Sequence, residues 1–169
     1  AYTIAENHKI FLNAGYYSRK PYLDNIFKNV RSSNELYQNP VIDNEEITSF
    51  EAGYHYKANR VKANFNAYVT DWDNRTLTGF GYDDGPDGLP DTDDDIEINI
   101  LQRGVRQFHS GAEFDVSYKA TDWLSLMAYV SGGSWYYKGE SSVYTYDDAT
   151  GDLLYQEDGV NRDGVKVST

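Results

Sequence analysis

Apolar residues recur at every second position along this chain, and the stretches that show the pattern are joined by connections that alternate between long and short. A period of two sends neighbouring side chains to opposite faces of an extended strand, so the pattern commits the chain to β-sheet with one apolar and one polar face. Five stretches carry it. Ile10, Leu12, Ala14 and Tyr16 share a face in residues 9–19, as do Phe50, Ala52, Tyr54 and Tyr56 in 46–57. Val61, Ala63, Phe65, Ala67 and Val69 form the row in 61–71; Ala112, Phe114, Val116 and Tyr118 form it in 108–119. In 123–137 the row is Leu124, Leu126, Ala128 and Val130, and a further strand is expected to begin near Val143 or near Val165.

The connections cover residues 20–46, 58–60, 73–97, 120–122 and 138–163, long and short in strict turn. In an antiparallel up-and-down meander this puts every long connection at one end of the sheet and every short turn at the other. Charge divides the same way. The chain has 15 Lys and Arg against 27 Asp and Glu, a net charge of −12; the three long connections carry −15, which leaves +3 for strands and short turns. Tyr56, Tyr118 and Trp123 flank the short turns, while Tyr16, Tyr17, Trp72, Trp135, Tyr136 and Tyr137 stand where strands enter long connections. Two aromatic girdles at two membrane interfaces have this arrangement, although Tyr and Trp also favour strand positions in any sheet.

Several function classes fall away on composition. The absence of cysteine excludes disulfides, thiolate metal sites and cysteine nucleophiles. The acidic balance repels a phosphate backbone, so no nucleic-acid partner is expected. A mean hydropathy of −0.69, with no long apolar run, excludes a membrane-spanning helix but not a membrane-spanning barrel, whose strands alternate lipid-facing and lumen-facing residues. His8, His55 and His109 lack metal-ligand spacing, and His109 and Ser110 are strand neighbours that point to opposite faces. Glu113 and Asp115 read as members of a polar row rather than a catalytic carboxylate pair. No enzymatic role is expected.

Five or six strands do not close a barrel, since the smallest common outer-membrane barrels use eight. The expected fold is therefore all-β, an antiparallel up-and-down meander over residues 1–169 that forms a fragment of a large transmembrane β-barrel, with 73–97 as an acidic extracellular loop insertion. Within that insertion Asp83, Asp87, Asp91 and Asp94 match carboxylate positions of a calcium-binding loop; Gly88 takes the turn and the Leu89 carbonyl would complete the set. Gly85 replaces one carboxylate and Asp94 stands where a bidentate Glu is usual. The loop reads either as a weak, millimolar Ca2+ site or as an acidic loop screened by salt.

The segments 13–21 (Asn-Ala-Gly-Tyr-Tyr-Ser-Arg-Lys-Pro), 44–54 (Asn-Glu-Glu-Ile-Thr-Ser-Phe-Glu-Ala-Gly-Tyr) and 65–72 (Phe-Asn-Ala-Tyr-Val-Thr-Asp-Trp), with His109 to Phe114 leading into Trp123 to Leu126, occur in an order and spacing that resembles the later barrel of TonB-dependent outer-membrane receptors, particularly of Bacteroidetes-type bacteria. The resemblance implies a 22-stranded barrel in the bacterial outer membrane, plugged by an N-terminal domain and energised by the TonB complex. It further implies outer-membrane lipid, the remaining barrel strands and the plug as partners. Import of a scarce large nutrient follows from it as an expectation: a ferric siderophore, haem, cobalamin or an oligosaccharide. Iron uptake is thus one of the roles it suggests. The competing expectation is a soluble all-β, calcium-stabilised glycan-binding module whose apolar rows face a sandwich core. Tyr22, Phe27, Tyr37, Phe80, Tyr82, Tyr144 and Tyr146 are the loop aromatics available to a ligand.

Overall fold

The computed structural model describes residues 1–27, 35–37, 42–90 and 92–167. Strands β1 (Tyr2–Ala5), β2 (His8–Arg19), β3 (Glu45–Lys57), β4 (Val61–Asp83), β5 (Ile96–Lys119), β6 (Ser125–Lys138), β7 (Glu140–Asp147) and β8 (Leu153–Asn161) form one antiparallel sheet. β2 to β6 follow one another as hairpin neighbours. These are the five alternating stretches of the sequence, joined at the short turns by Ala58 N to Val61 O (2.9 Å) and Thr121 N to Leu124 O (3.1 Å). β1 pairs with the start of β2, a strand that the alternation does not announce.

Register aligns the apolar rows across strands, because residues directly opposite each other share a face. Ile10, Tyr54, Phe65, Phe114 and Val130 lie in one transverse row, and Leu12, Ala52, Ala67, Ala112 and Gly132 in the next. Among the described residues no second layer covers this face: Leu12 is 78% exposed and Val130 62%. A soluble sandwich would bury these rows against a second sheet. The single layer found here instead turns its largest apolar surface outward, so the sandwich architecture is not the observed one.

β4 and β5 are 23 and 24 residues long, about twice what a tilted strand needs to cross a bilayer. Above Trp72 the hairpin breaks register twice, between Trp72 and Arg75 and between Arg75 and Leu77. Asn74 there adopts a left-handed backbone, with φ 57°, and Gly104 on the partner strand has φ 67°. Bulges of this kind bend a strand pair and re-aim its side chains. Beyond the bulge the hairpin continues as a ribbon, widened by β7 and β8, with β7 running on from the end of β6 to pair with Ile98–Arg103 along the same edge of β5. The connection expected over 73–97 is therefore mostly strand, and its irregular part is confined to 84–95. Likewise both sites proposed for a further strand are occupied: Val143 lies in β7, and Val165 and Val167 accept or donate backbone bonds to Tyr137 and Trp135 of β6.

The buried apolar cluster sits in this ribbon. Leu101, fully buried, packs with Tyr37, Tyr144 and Tyr146, and Ile42 covers them.

Candidate site on the polar face

The polar rows of β2 to β6 are tied together across strands. Asn13 donates to Glu51 Oε2 (3.0 Å), and the Ser49 hydroxyl meets the Thr70 hydroxyl (3.0 Å). His55 Nδ1 lies 2.7 Å from Asn64 Oδ1, whose amide nitrogen donates to Asp115 Oδ1 at 2.8 Å. Cross-strand polar pairs of this type tie neighbouring strands together on this face.

At the outer end of this face a buried carboxylate sits among two guanidiniums and a tryptophan ring. Glu45, 1% exposed, accepts two hydrogen bonds from Arg19, from Nε at 3.1 Å and from Nη2 at 2.5 Å. Arg75 approaches the other oxygen of Glu45 at 3.9 Å and donates to the buried Gln107 side chain. Both guanidinium groups lie over the Trp72 ring, at 5.4 Å for Arg19 and 4.8 Å for Arg75, and Trp72 stacks on His109 with an interplanar angle of 18°. A buried carboxylate between two guanidiniums is tolerable because both partners are held in place, and the ring face adds a further attraction for the cations. The result is a rigid aromatic and cationic shelf. Sequence reasoning placed Trp72 in a girdle and did not find this group, since its members come from β2, β3, β4 and β5.

The outer girdle itself needs correction. By register Tyr16 and Tyr136 belong to the outward rows, but Tyr17, Trp72, Trp135 and Tyr137 belong to the polar face. At the short-turn end Tyr56 and Tyr118 do lie in the outward rows, as a girdle requires. The outward face above the apolar band closes with a two-pronged ion pair between Arg106 and Asp71, at 2.8 and 2.5 Å.

The loop aromatics divide. Tyr37, Tyr144 and Tyr146 are buried in the ribbon core, where burial, with Tyr146 and Asp148 nearby, pushes the Tyr37 hydroxyl up to about 12. Phe80 and Tyr82 project from the ribbon, with Phe80 84% exposed, and Tyr22 lies under Arg19. Phe27 pairs with Leu36 through an isolated bridge.

In the acidic loop, Asp83 and Asp87 accept hydrogen bonds from the backbone of Gly85 (3.1 Å) and Leu89 (2.8 Å). Asp94 accepts from the Thr92 hydroxyl (2.7 Å) and the Asp87 amide (3.2 Å), and these bonds, the hydroxyl first, hold its carboxyl below the usual carboxylate range. The side chains of Asp83, Asp87 and Asp94 thus serve as turn acceptors, and Asp91 lies outside the described residues. Among the described residues no three His, Asp or Glu side chains converge as metal ligands.

His8 stands in the outward rows, with Nδ1 2.6 Å from the hydroxyl of Tyr54 on the same face, whereas His55 joins a polar row through Asn64, and His109 and Ser110 face opposite sides. A family model for the β-barrel of TonB-dependent-receptor-like proteins matches residues 1–169. No curated protein and no solved structure matches the chain. A single-layered meander with an apolar outer face, a polar inner face and an aromatic shelf at the end of the long connections is thus a segment of barrel wall, and the chain belongs to the TonB-dependent receptor β-barrel family, whose members are transporters characteristic of the bacterial outer membrane.

Proposed function

We propose that this chain forms part of the barrel wall of an outer-membrane transporter that imports a scarce large nutrient: a ferric siderophore, haem, cobalamin or an oligosaccharide. The observation that carries this reading is the sheet's exposed apolar face, which is backed by a hydrogen-bonded polar face. In this reading lipid covers the outward rows, the remaining strands close the barrel, and a plug domain inside it couples to the TonB complex. The ribbon of β4, β5, β7 and β8 stands outside the membrane and carries the acidic loop. That loop takes a calcium ion weakly through Asp83, Asp87, Asp91, Asp94 and the Leu89 carbonyl; its carboxylate density supports this part of the reading.

The test uses the complete receptor in bacterial cells, with uptake of labelled ferric siderophore, haem, cobalamin and oligosaccharides measured with and without the TonB complex. TonB-dependent uptake of one of these supports the proposal. Recovery of the receptor in the soluble fraction, or no energised uptake of any of them, contradicts it.

A further inference from the structure

Toward the long connections the outward face ends in a row of rings followed by charge. Tyr16, Thr48, Asp71, Phe108 and Tyr136 form one transverse row, and the Phe108 and Tyr136 ring centroids lie 5.5 Å apart. In the next row outward Arg106 is paired with Lys138, whose Nζ lies 5.6 Å from the centre of the Phe108 ring. Lys166 stands opposite Tyr136 in a bridge on the other edge of β6. The flanking bonds, Tyr137 N to Val165 O (2.8 Å) and Val167 N to Trp135 O (3.0 Å), make this a non-hydrogen-bonded pair, the kind whose side chains stand closest. Tyr136 faces outward, so Lys166 shares that face.

Of these three cations only Arg106 is neutralised. Asp71 takes it with both carboxylate oxygens. Lys138 and Lys166 are exposed and, among the described residues, neither lies within ion-pair distance of a carboxylate. Asp73 stands two strands away from Lys138, about 10 Å at the usual spacing, and Glu46 is one strand further. The outward rings of β5 run from Phe108 to Tyr118, about 33 Å of strand, or about 25 Å of height at the tilt of a barrel strand. An outer-membrane barrel has an apolar band of about this height. On the transporter reading the two lysines therefore stand at the level of lipid headgroups, with their stems against the wall and their ammonium groups in the polar layer. Toward the short turns the same two strands carry only Ser110 and Ser134, then Ala112 and Gly132, before Phe114 and Val130 raise the surface again.

From this we infer that Lys138 and Lys166 hold the phosphomonoester headgroup of a membrane lipid on the outside of the wall, with an acyl chain lying over Ser134 and Gly132. Two ammonium groups without a carboxylate partner match a phosphomonoester, which carries close to two negative charges, better than the single charge of a phosphodiester. The lipid tail supplies what a free anion lacks, apolar contact with the low surface below the rings. This rests on the transporter reading above and adds a specific lipid site to its wall.

The test places the complete receptor in phosphatidylcholine nanodiscs that carry a small fraction of phosphatidic acid, a phosphomonoester, or of phosphatidylglycerol, a phosphodiester. Native mass spectrometry then counts the lipid retained on release. Phosphatidic acid is expected to be retained about tenfold over phosphatidylglycerol. Lys138→Gln and Lys166→Gln are each expected to lower that preference about threefold, and the double variant to abolish it. Lys138→Arg is expected to keep it, as is Lys62→Gln on the inner face. Both lysines are exposed, so equal thermal melting of the variants is expected and separates lipid binding from folding. Equal retention of the two lipids, or a preference that survives the double substitution, overturns the site. Inorganic phosphate that displaces phosphatidic acid at equal concentration also overturns it, and assigns the lysines to a free anion. Each of these results leaves the transporter standing, whereas recovery of the receptor in the soluble fraction removes that reading and the lipid site together.

Discussion

Leu12 and Leu101 sit in the same sheet under opposite conditions. Leu12 faces outward from the lower meander and is mostly exposed among the described residues, whereas Leu101 in the outer ribbon is fully buried with Tyr37, Tyr144 and Tyr146. The lower sheet has an apolar face without a core, as suits a wall whose solvent is lipid; the ribbon has a core because its surroundings are aqueous and must be excluded. The boundary between the two regimes is the bulge at Asn74 and Gly104, where the strand pair changes register and the buried face begins. One continuous hairpin therefore serves two solvents, and the bulge lets it change which side is buried.

The sharpest way to break this contrast is to charge the lower face. Phe65→Arg, in the middle of the outward rows, is expected to destabilise the folded receptor in lipid by about 2–4 kcal/mol, while Asn66→Arg on the inner face costs much less. Denaturant titrations in vesicles read both. In the ribbon the equivalent injury is a cavity: Leu101→Ala is expected to cost about 2–4 kcal/mol, as accelerated amide exchange confined to residues 96–103 and 143–146. Leu12→Ala, with lipid to fill the gap, is expected to cost under about 1.5 kcal/mol.

A smaller effect comes from Tyr37. Its hydroxyl pKa is raised from an ordinary value of 10 to about 12, so the folded ribbon keeps the proton after the unfolded chain has lost it. Stability from this group is complete below pH 10 and is lost as pH rises through 12. Ribbon amide protection is expected to decline across that window by up to about 2 kcal/mol, and Tyr37→Phe to flatten the decline. Least of all is the acidic loop, where Asp94→Asn is expected to abolish a millimolar-calcium melting shift worth under about 1 kcal/mol. A shift that survives the substitution removes Asp94 from the calcium set.

The two regions also differ in how much of them can be read from residues alone. The lower strands are legible because lipid on one side and water on the other force strict alternation, as in Val61, Ala63, Phe65, Ala67 and Val69. The ribbon is not, because the bulge at Asn74 and Arg75 resets the period midway through β4, and because a break at Gly139 separates β6 from β7 along the same edge of β5. Pairings such as Tyr68 over Gly111, or Arg19 and Arg75 about Glu45, depend on register between strands, which no local pattern states. The acidic residues of the loop are visible at once, but their use as turn acceptors is not.

The orientation of the lower sheet can be measured directly, since the chain has no cysteine and single cysteines can be introduced for spin labels. Labels at positions 61 to 72 of the complete receptor in lipid vesicles would be tested against oxygen, which partitions into the bilayer, and a water-soluble nickel complex. The predicted result is strict alternation, with Ala63→Cys, Phe65→Cys, Ala67→Cys and Val69→Cys open to oxygen and Asn64→Cys, Asn66→Cys and Tyr68→Cys shielded from it. Equal accessibility at odd and even positions, or oxygen exposure on the even set, would contradict the assignment of the apolar rows to lipid.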